Sequence, residues 1–132
     1  MTPSPTLALI AARPGDLQDG LVALMTTMPQ VSAVLIAEDA PSVLRTMARH
    51  RPALVVLEMD LPAEEWLAPL QEIRTRWPLT RCIALADDVQ GQQEAQSAGA
   101  DVVLIVGFPA AKLIAAIEGL LSQQEGGGAC AD

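Results

Sequence analysis

Aromatic residues are nearly missing from this chain of 132 residues: it has no tyrosine, one phenylalanine and two tryptophans. With 51% of its residues hydrophobic, the core must be built from Leu, Val, Ile, Ala and Met. Basic residues are also scarce, 8 against 16 acids, for a formal net charge of -8. A nucleic-acid surface needs clustered Lys and Arg, so that class of function is set aside. The two cysteines, Cys82 and Cys130, lie far apart and form no metal-binding spacing. Cys82 sits in an apolar segment and reads as a small core residue; Cys130 lies in a Gly-rich tail. No apolar run approaches the roughly 20 residues that a bilayer span requires. Met1 to Pro5 lacks the basic start and apolar run of a signal peptide. A cytoplasmic location without membrane contact is therefore expected.

What the chain does have is alternation. Short apolar runs predict strands at Thr6 to Ala12, Val31 to Ala37, Leu54 to Leu57, Arg81 to Ala86 and Val102 to Val106. Helical spacing of Leu17, Leu21, Leu24, Met25 and Met28 predicts a helix over 16–28, with Asp16 as its N-cap. Further helices are predicted over 41–50, 64–77, 89–98 and 109–123. In the third, Trp66, Leu67, Leu70, Ile73 and Trp77 lie on or near one face; Pro69 falls within this range, so either the helix begins near Ala68 with Pro69 in its first turn or a short turn precedes it. Asp87 or Asp88 caps the fourth, and Gly99 ends it. The expected organisation is a short disordered N-terminus over 1–5, one domain over 6–123 and a flexible Gly-rich tail over 124–132. Fully apolar strands alternating with amphipathic helices predict an α/β fold. Its expected form is a flavodoxin-like (βα)5 doubly wound parallel sheet with strand order 2-1-3-4-5.

The stretch Pro52-Ala53-Leu54-Val55-Val56-Leu57-Glu58-Met59-Asp60-Leu61-Pro62 delivers a carboxylate to the carboxyl end of a strand, where open α/β sheets place their chemistry. Its segment "RPALVVLEMDLP" resembles the third strand of response-regulator receiver domains. "IRTRWPLTRCIALADD" resembles the helix and strand that follow it in LuxR/NarL-type regulators. "AGADVVLIVGFPAAKLIAAI" resembles their last strand and helix. The resemblance covers roughly residues 6–121.

It implies two-component or phosphorelay signalling, yet the positions that carry phosphoryl chemistry are altered. The acidic pair that holds Mg²⁺ falls on Ala11 and Ala12. The phosphoacceptor aspartate falls on Glu58, and the Thr or Ser after the fourth strand on Ala86. The lysine of the fifth strand falls on Val106, the proline after it on Gly107, and the aromatic switch on Val103. Mg²⁺ wants hard oxygen ligands, and two alanines offer no side-chain oxygen. Phosphoryl transfer relies on positioned cations. No metal, cofactor or enzymatic activity is expected, and the resemblance implies a degenerate, phosphorylation-independent pseudo-receiver that acts by docking to a protein partner.

Glu58 has three readings: a permanent mimic of a phosphorylated aspartate, an acid paired with a neighbour, or a solvated acid at the strand mouth. The mimic is short of charge, because a phosphoryl group carries about -1.5 to -2. Arg13 suggests an Arg13–Glu58 ion pair in the space of the metal; the alternative is a solvated Arg13. Two other functions stand beside docking. One is residual phosphoryl acceptance on Glu58 or Asp60. The other is small-ligand sensing in a vacant pocket beside Ala11, Ala12, Ala86 and Gly107. His50, between Arg49 and Arg51, reads as a surface residue. The last helix is apolar nearly all round, which predicts a homodimer through Leu113, Ile114, Ile117, Leu120 and Leu121, against the alternative of small alanines on an exposed face.

Overall fold

Five runs rich in Val, Leu, Ile and Ala form the strands, and caps, glycines and prolines punctuate the helices between them. The computed structural model describes residues 6–58 and 63–130, with side chains described outside 63–67 and 122–130. The elements are β1 (Leu7–Ala11), α1 (Asp16–Thr26), β2 (Ala33–Ala37), α2 (Ala40–His50), β3 (Leu54–Glu58), α3 (Ala63–Arg76), β4 (Arg81–Ala86), α4 (Val89–Ala98), β5 (Val102–Ile105) and α5 (Ala110–Cys130). All neighbouring strands are parallel, in the expected order β2-β1-β3-β4-β5. Parallel strands are buried on both faces, which is why their sequences are continuous apolar runs.

Strand alternation divides the core in two. Ala8, Ile10, Leu54, Val56, Ile83, Leu85 and Leu104 pack with Leu21 and Met25 of α1 and with the inner face of α5. Leu9, Ala11, Val55, Leu57, Cys82 and Ala84 pack with Val43 and Met47 of α2, Leu70 and Ile73 of α3, and Ala95 and Ala98 of α4. Burying a Leu, Ile or Met side chain stabilises by about 1.5–3 kcal/mol, so these two layers hold the fold.

The helix ends follow local chemistry. Asp39 accepts the Ser42 N–H at 2.8 Å and caps α2; Asp88 accepts the Gly91 N–H at 2.8 Å and caps α4. Gly99 ends α4 at φ 107°, a left-handed conformation that favours glycine. Asp16 is the first residue of α1 and not its cap: Gly15 stands at that position, without a side-chain hydrogen bond. Pro69 lies inside α3, which begins at Ala63, so the proline is not in its first turn. Having no N–H, it leaves the Glu65 carbonyl without its helical donor. Leu70 and Ile73 form the buried face of α3, and Trp77 packs against the same core; Trp66 and Leu67 lie outside the described side chains.

The last helix differs from expectation in two ways. Its backbone is helical to Cys130, past the boundary expected near 123. Its large apolar residues are also already used. Leu113, Ile117, Leu120 and Leu121 are buried in the core beside α1, with Ile114 partly buried against it. The interface predicted through these residues is corrected accordingly, because their side chains face inward. The outer face is made of Ala110, Ala111, Lys112, Ala115, Glu118 and Gly119. Alanine counts as apolar in a sequence, but its single methyl group leaves little apolar area in water.

Candidate functional site

Parallel pairing brings the predicted positions to one end of the sheet. Ala11 stands opposite Leu57, Glu58 opposite Leu85, and Ala86 opposite Ile105. Ala12 extends this edge by donating its N–H to the Ala37 carbonyl at 3.1 Å. Val106 lies just past β5 and donates its N–H to the Ala86 carbonyl at 2.8 Å. Ala11, Ala12 and Ala86 are fully buried, whereas the Val106 side chain is exposed. Gly91 in the first turn of α4 lies against Ala86: a Cβ there would come within 3.3 Å of the Ala86 methyl. The three alanine side chains therefore offer no accessible surface, and a ligand at this end would have to rest on the surrounding loops.

Glu58 is the acidic member of the group, and it is 9% exposed. It shares the parity of Leu54 and Val56, so it emerges on the α1 side of the sheet. Its Oε1 accepts the backbone N–H of Arg13 at 3.2 Å. The structure thus brings Arg13 and Glu58 together, with the Arg13 backbone N–H on the carboxylate. A hydrogen bond to a charged acceptor contributes about 1.5–3 kcal/mol net.

Sequence reading missed the second half of this arrangement. Gln18 is buried on α1, and its Nε2 donates to the Ala12 carbonyl at 3.0 Å. The Ala12 carbonyl and the Arg13 N–H belong to one peptide unit. Glu58 engages it from β3, and Gln18 engages it from α1. A signal for Gln18 was present: it falls on the same stripe as Leu21 and Met25, three and seven residues on. A polar residue on a buried stripe requires a partner.

This donor set does not fit the Mg²⁺ that a receiver fold implies. The positions of the acidic pair are buried methyl groups, and the Glu58 carboxylate already accepts a backbone N–H. Mg²⁺ demands near-octahedral oxygen ligation. Among the described residues, no three His, Cys, Asp or Glu gather in a way that could hold a metal ion. No phosphoryl-transfer step is derived from this arrangement.

The remaining candidates are dispersed. Asp60 lies outside the described residues. Asp88 is the cap of α4, and Asp87 is exposed beside it. His50 is exposed at the end of α2, next to Arg49. Val103 pairs with Ala84 and is partly buried against the α2–α4 side of the core. Cys82 is buried, and its thiol pKa is pushed up to about 11, chiefly because burial disfavours the thiolate.

Known structures share this architecture. The signal receiver domain of an HD domain-containing protein from Pseudomonas fluorescens is 22% identical, with a TM-score of 0.81 over 92% of this chain and 98% of its own. A CheY-like response regulator receiver domain protein from Methanospirillum hungatei is 20% identical, with a TM-score of 0.81 over the same shares of the two chains. A LuxR-family two-component response regulator from Aurantimonas sp. is 22% identical, with a TM-score of 0.79 over 90% of this chain and 86% of its own. The fold is that of CheY-like receiver domains. No family model matches the sequence, and no curated protein matches it.

Proposed function

We propose that this chain is a receiver-like signalling module that works by protein–protein interaction and without phosphorylation. One observation carries the reading: the Ala12–Arg13 peptide is held between Glu58 and Gln18, where a receiver would hold its metal. Glu58 then serves as a fixed internal acceptor, with the Arg13 side chain its expected ionic partner. Such a module has no reaction of its own and needs no cofactor. The receiver fold supports a place in two-component signalling, with a regulatory protein as partner. The net charge of -8 argues against nucleic acid as that partner. No described helix is long and apolar enough to cross a membrane, which is compatible with a cytoplasmic partner.

Self-association belongs to the same reading, moved to a different face. Between α1 and α5 runs a largely apolar groove of about 520 Å³, lined by Leu17, Leu24, Phe108 and Ala110 among others. A homodimer would use this groove and the alanine face of α5 in place of the buried leucines.

The test is incubation with acetyl phosphate or beryllofluoride plus Mg²⁺, followed by intact mass and amide NMR spectra. The expected result is no adduct and no Mg²⁺-dependent shift. An acyl phosphate on Glu58 or Asp60 would overturn the reading in favour of residual phosphoryl acceptance.

A further inference from the structure

Among the described residues, β2 is the outermost strand on its side of the sheet, so one row of its backbone N–H and C=O groups has no strand partner. Its sequence, Ala33-Val34-Leu35-Ile36-Ala37, carries no charge and no proline, the usual defences of an edge. Ile36 is 46% exposed. Beside this edge runs a groove of about 590 Å³, lined by Ile36 and by Ser42, Arg45, Thr46, Arg49 and His50 of α2.

The charge of that flank is unusual for this molecule. Three of the chain's 8 basic residues, Arg45, Arg49 and Arg51, fall within seven positions, in a protein with 16 acids. Arg45 and Arg49 are four residues apart on α2, a like-charge spacing that costs a helix a few tenths of a kcal/mol. Among the described residues neither forms a salt bridge; Arg45 donates to the Ser42 hydroxyl at 3.1 Å. Asp39, whose carboxyl Ser42 holds below the usual range, feels Arg45 only as a smaller, through-space contribution. The opposite edge strand, β5, is equally apolar, but its neighbour α4 carries no basic residue.

We propose that the groove between the β2 edge and α2 docks an extended acidic segment of a partner protein, which adds to the sheet beside β2. Strand addition takes its affinity from backbone hydrogen bonds and its specificity from alternate side chains. Leu35 and Ala37 face the α2 side, and Val34 faces the α1 side. An added strand alternates in the same way. Its acidic side chains would meet Arg45 and Arg49, and its apolar ones would lie beside Val34 and Ile36, which share a parity. The segment recognised is therefore one of alternating acidic and apolar residues. This site lies apart from the strand-end positions and stands whether or not Glu58 accepts phosphate.

The probe is a fluorescein-labelled octapeptide of alternating Glu and Val, blocked at both ends and titrated by anisotropy. The result expected is saturable binding that weakens with added salt. Arg45→Glu/Arg49→Glu should weaken it by about tenfold or more, and Arg45→Lys/Arg49→Lys by less. Two altered peptides keep the test independent of any folding defect. Lys in place of Glu, or one central Pro, should each abolish binding to the unmodified protein. No saturable binding, equal binding by the Glu variant, or equal binding of the Pro-containing peptide would overturn the proposal. So would a dimer of the protein that the Glu variant converts to monomer, since the groove would then belong to a second copy.

Discussion

The two ends of the sheet use polar groups in opposite ways. At the carboxyl ends of the strands, Ala11, Ala12 and Ala86 present buried methyl groups, and Glu58 turns inward to a backbone N–H. At the amino ends of β4 and β5, one carboxylate organises a dense network. Asp101 Oδ2 accepts from Arg74 Nη1 at 3.2 Å and from the Cys82 N–H at 2.8 Å, and Oδ1 lies 3.6 Å from Arg81 Nη1. Arg74 also donates to the Thr80 carbonyl, and the Thr80 hydroxyl donates to the Pro52 carbonyl at 3.0 Å. The ionic groups of this second end tie α3, β4 and the start of β5 together, and the Thr80 hydroxyl links them to the residues leading into β3. The contrast teaches that charged side chains fasten the amino end of the sheet, whereas among the described residues Glu58 and Gln18 hold one backbone peptide at its carboxyl end.

The largest expected effect comes from forcing the first end to resemble a metal site. Ala12→Asp places a carboxylate at a position with no exposure. A buried, unpaired carboxylate costs several kcal/mol or takes up a proton. Urea unfolding should show a loss of at least about 3 kcal/mol at neutral pH, partly recovered as the pH falls and the new carboxyl is neutralised. A variant as stable as the parent would mean that this end still accommodates charge, and the contrast between the ends would fail.

At the other end, Asp101→Ala should cost about 2–3 kcal/mol, since it leaves the Cys82 N–H and the Arg74 guanidinium without their shared acceptor and removes the carboxylate that pairs with Arg81 at 3.6 Å. The discount for partial exposure is modest, because the Asp101 side chain is 16% exposed. Asp101→Asn keeps an oxygen for the Cys82 N–H and should lose roughly half as much. If both variants stay within about 0.5 kcal/mol of the parent by the same urea assay, the network does not fasten the fold as argued.

The fold was legible because its signals are local and repeated. Five apolar runs, the caps Asp39 and Asp88, and the helix-ending Gly99 each mark an element by its own chemistry. The alanine positions of the strand ends came from the resemblance to receiver domains, and parallel register brings Ala11 and Ala86 to one edge of the sheet. Three things were not legible. The role of α5 depends on which apolar residues face inward, and a helix whose outer face is alanine reads as apolar on every side. The contact of Glu58 with the Arg13 N–H is a backbone interaction across 45 residues, to which no side-chain pattern points. The burial of Gln18 was signalled by its stripe, but its partner was not: that partner is a carbonyl six residues back, and carbonyls look alike in every sequence.

The smallest expected effect is also the one that resolves the clamp itself. If Glu58 and Gln18 hold the same peptide, each should matter more when the other is present. Polarisation through the shared amide strengthens both bonds, and losing either frees the loop to move away from the other. Glu58→Ala and Gln18→Ala should each cost about 1–2 kcal/mol. Their double variant should cost less than the sum by about 0.5–1 kcal/mol, the scale expected of residues within one network. Glu58→Gln, which keeps an acceptor oxygen, should retain most of this coupling, because the clamp needs an oxygen facing the Arg13 N–H more than it needs a charge. Strict additivity in a double-mutant cycle would separate the two bonds and make the Glu58 and Gln18 contacts independent of each other. The strand end would then hold two independent repairs in place of one device.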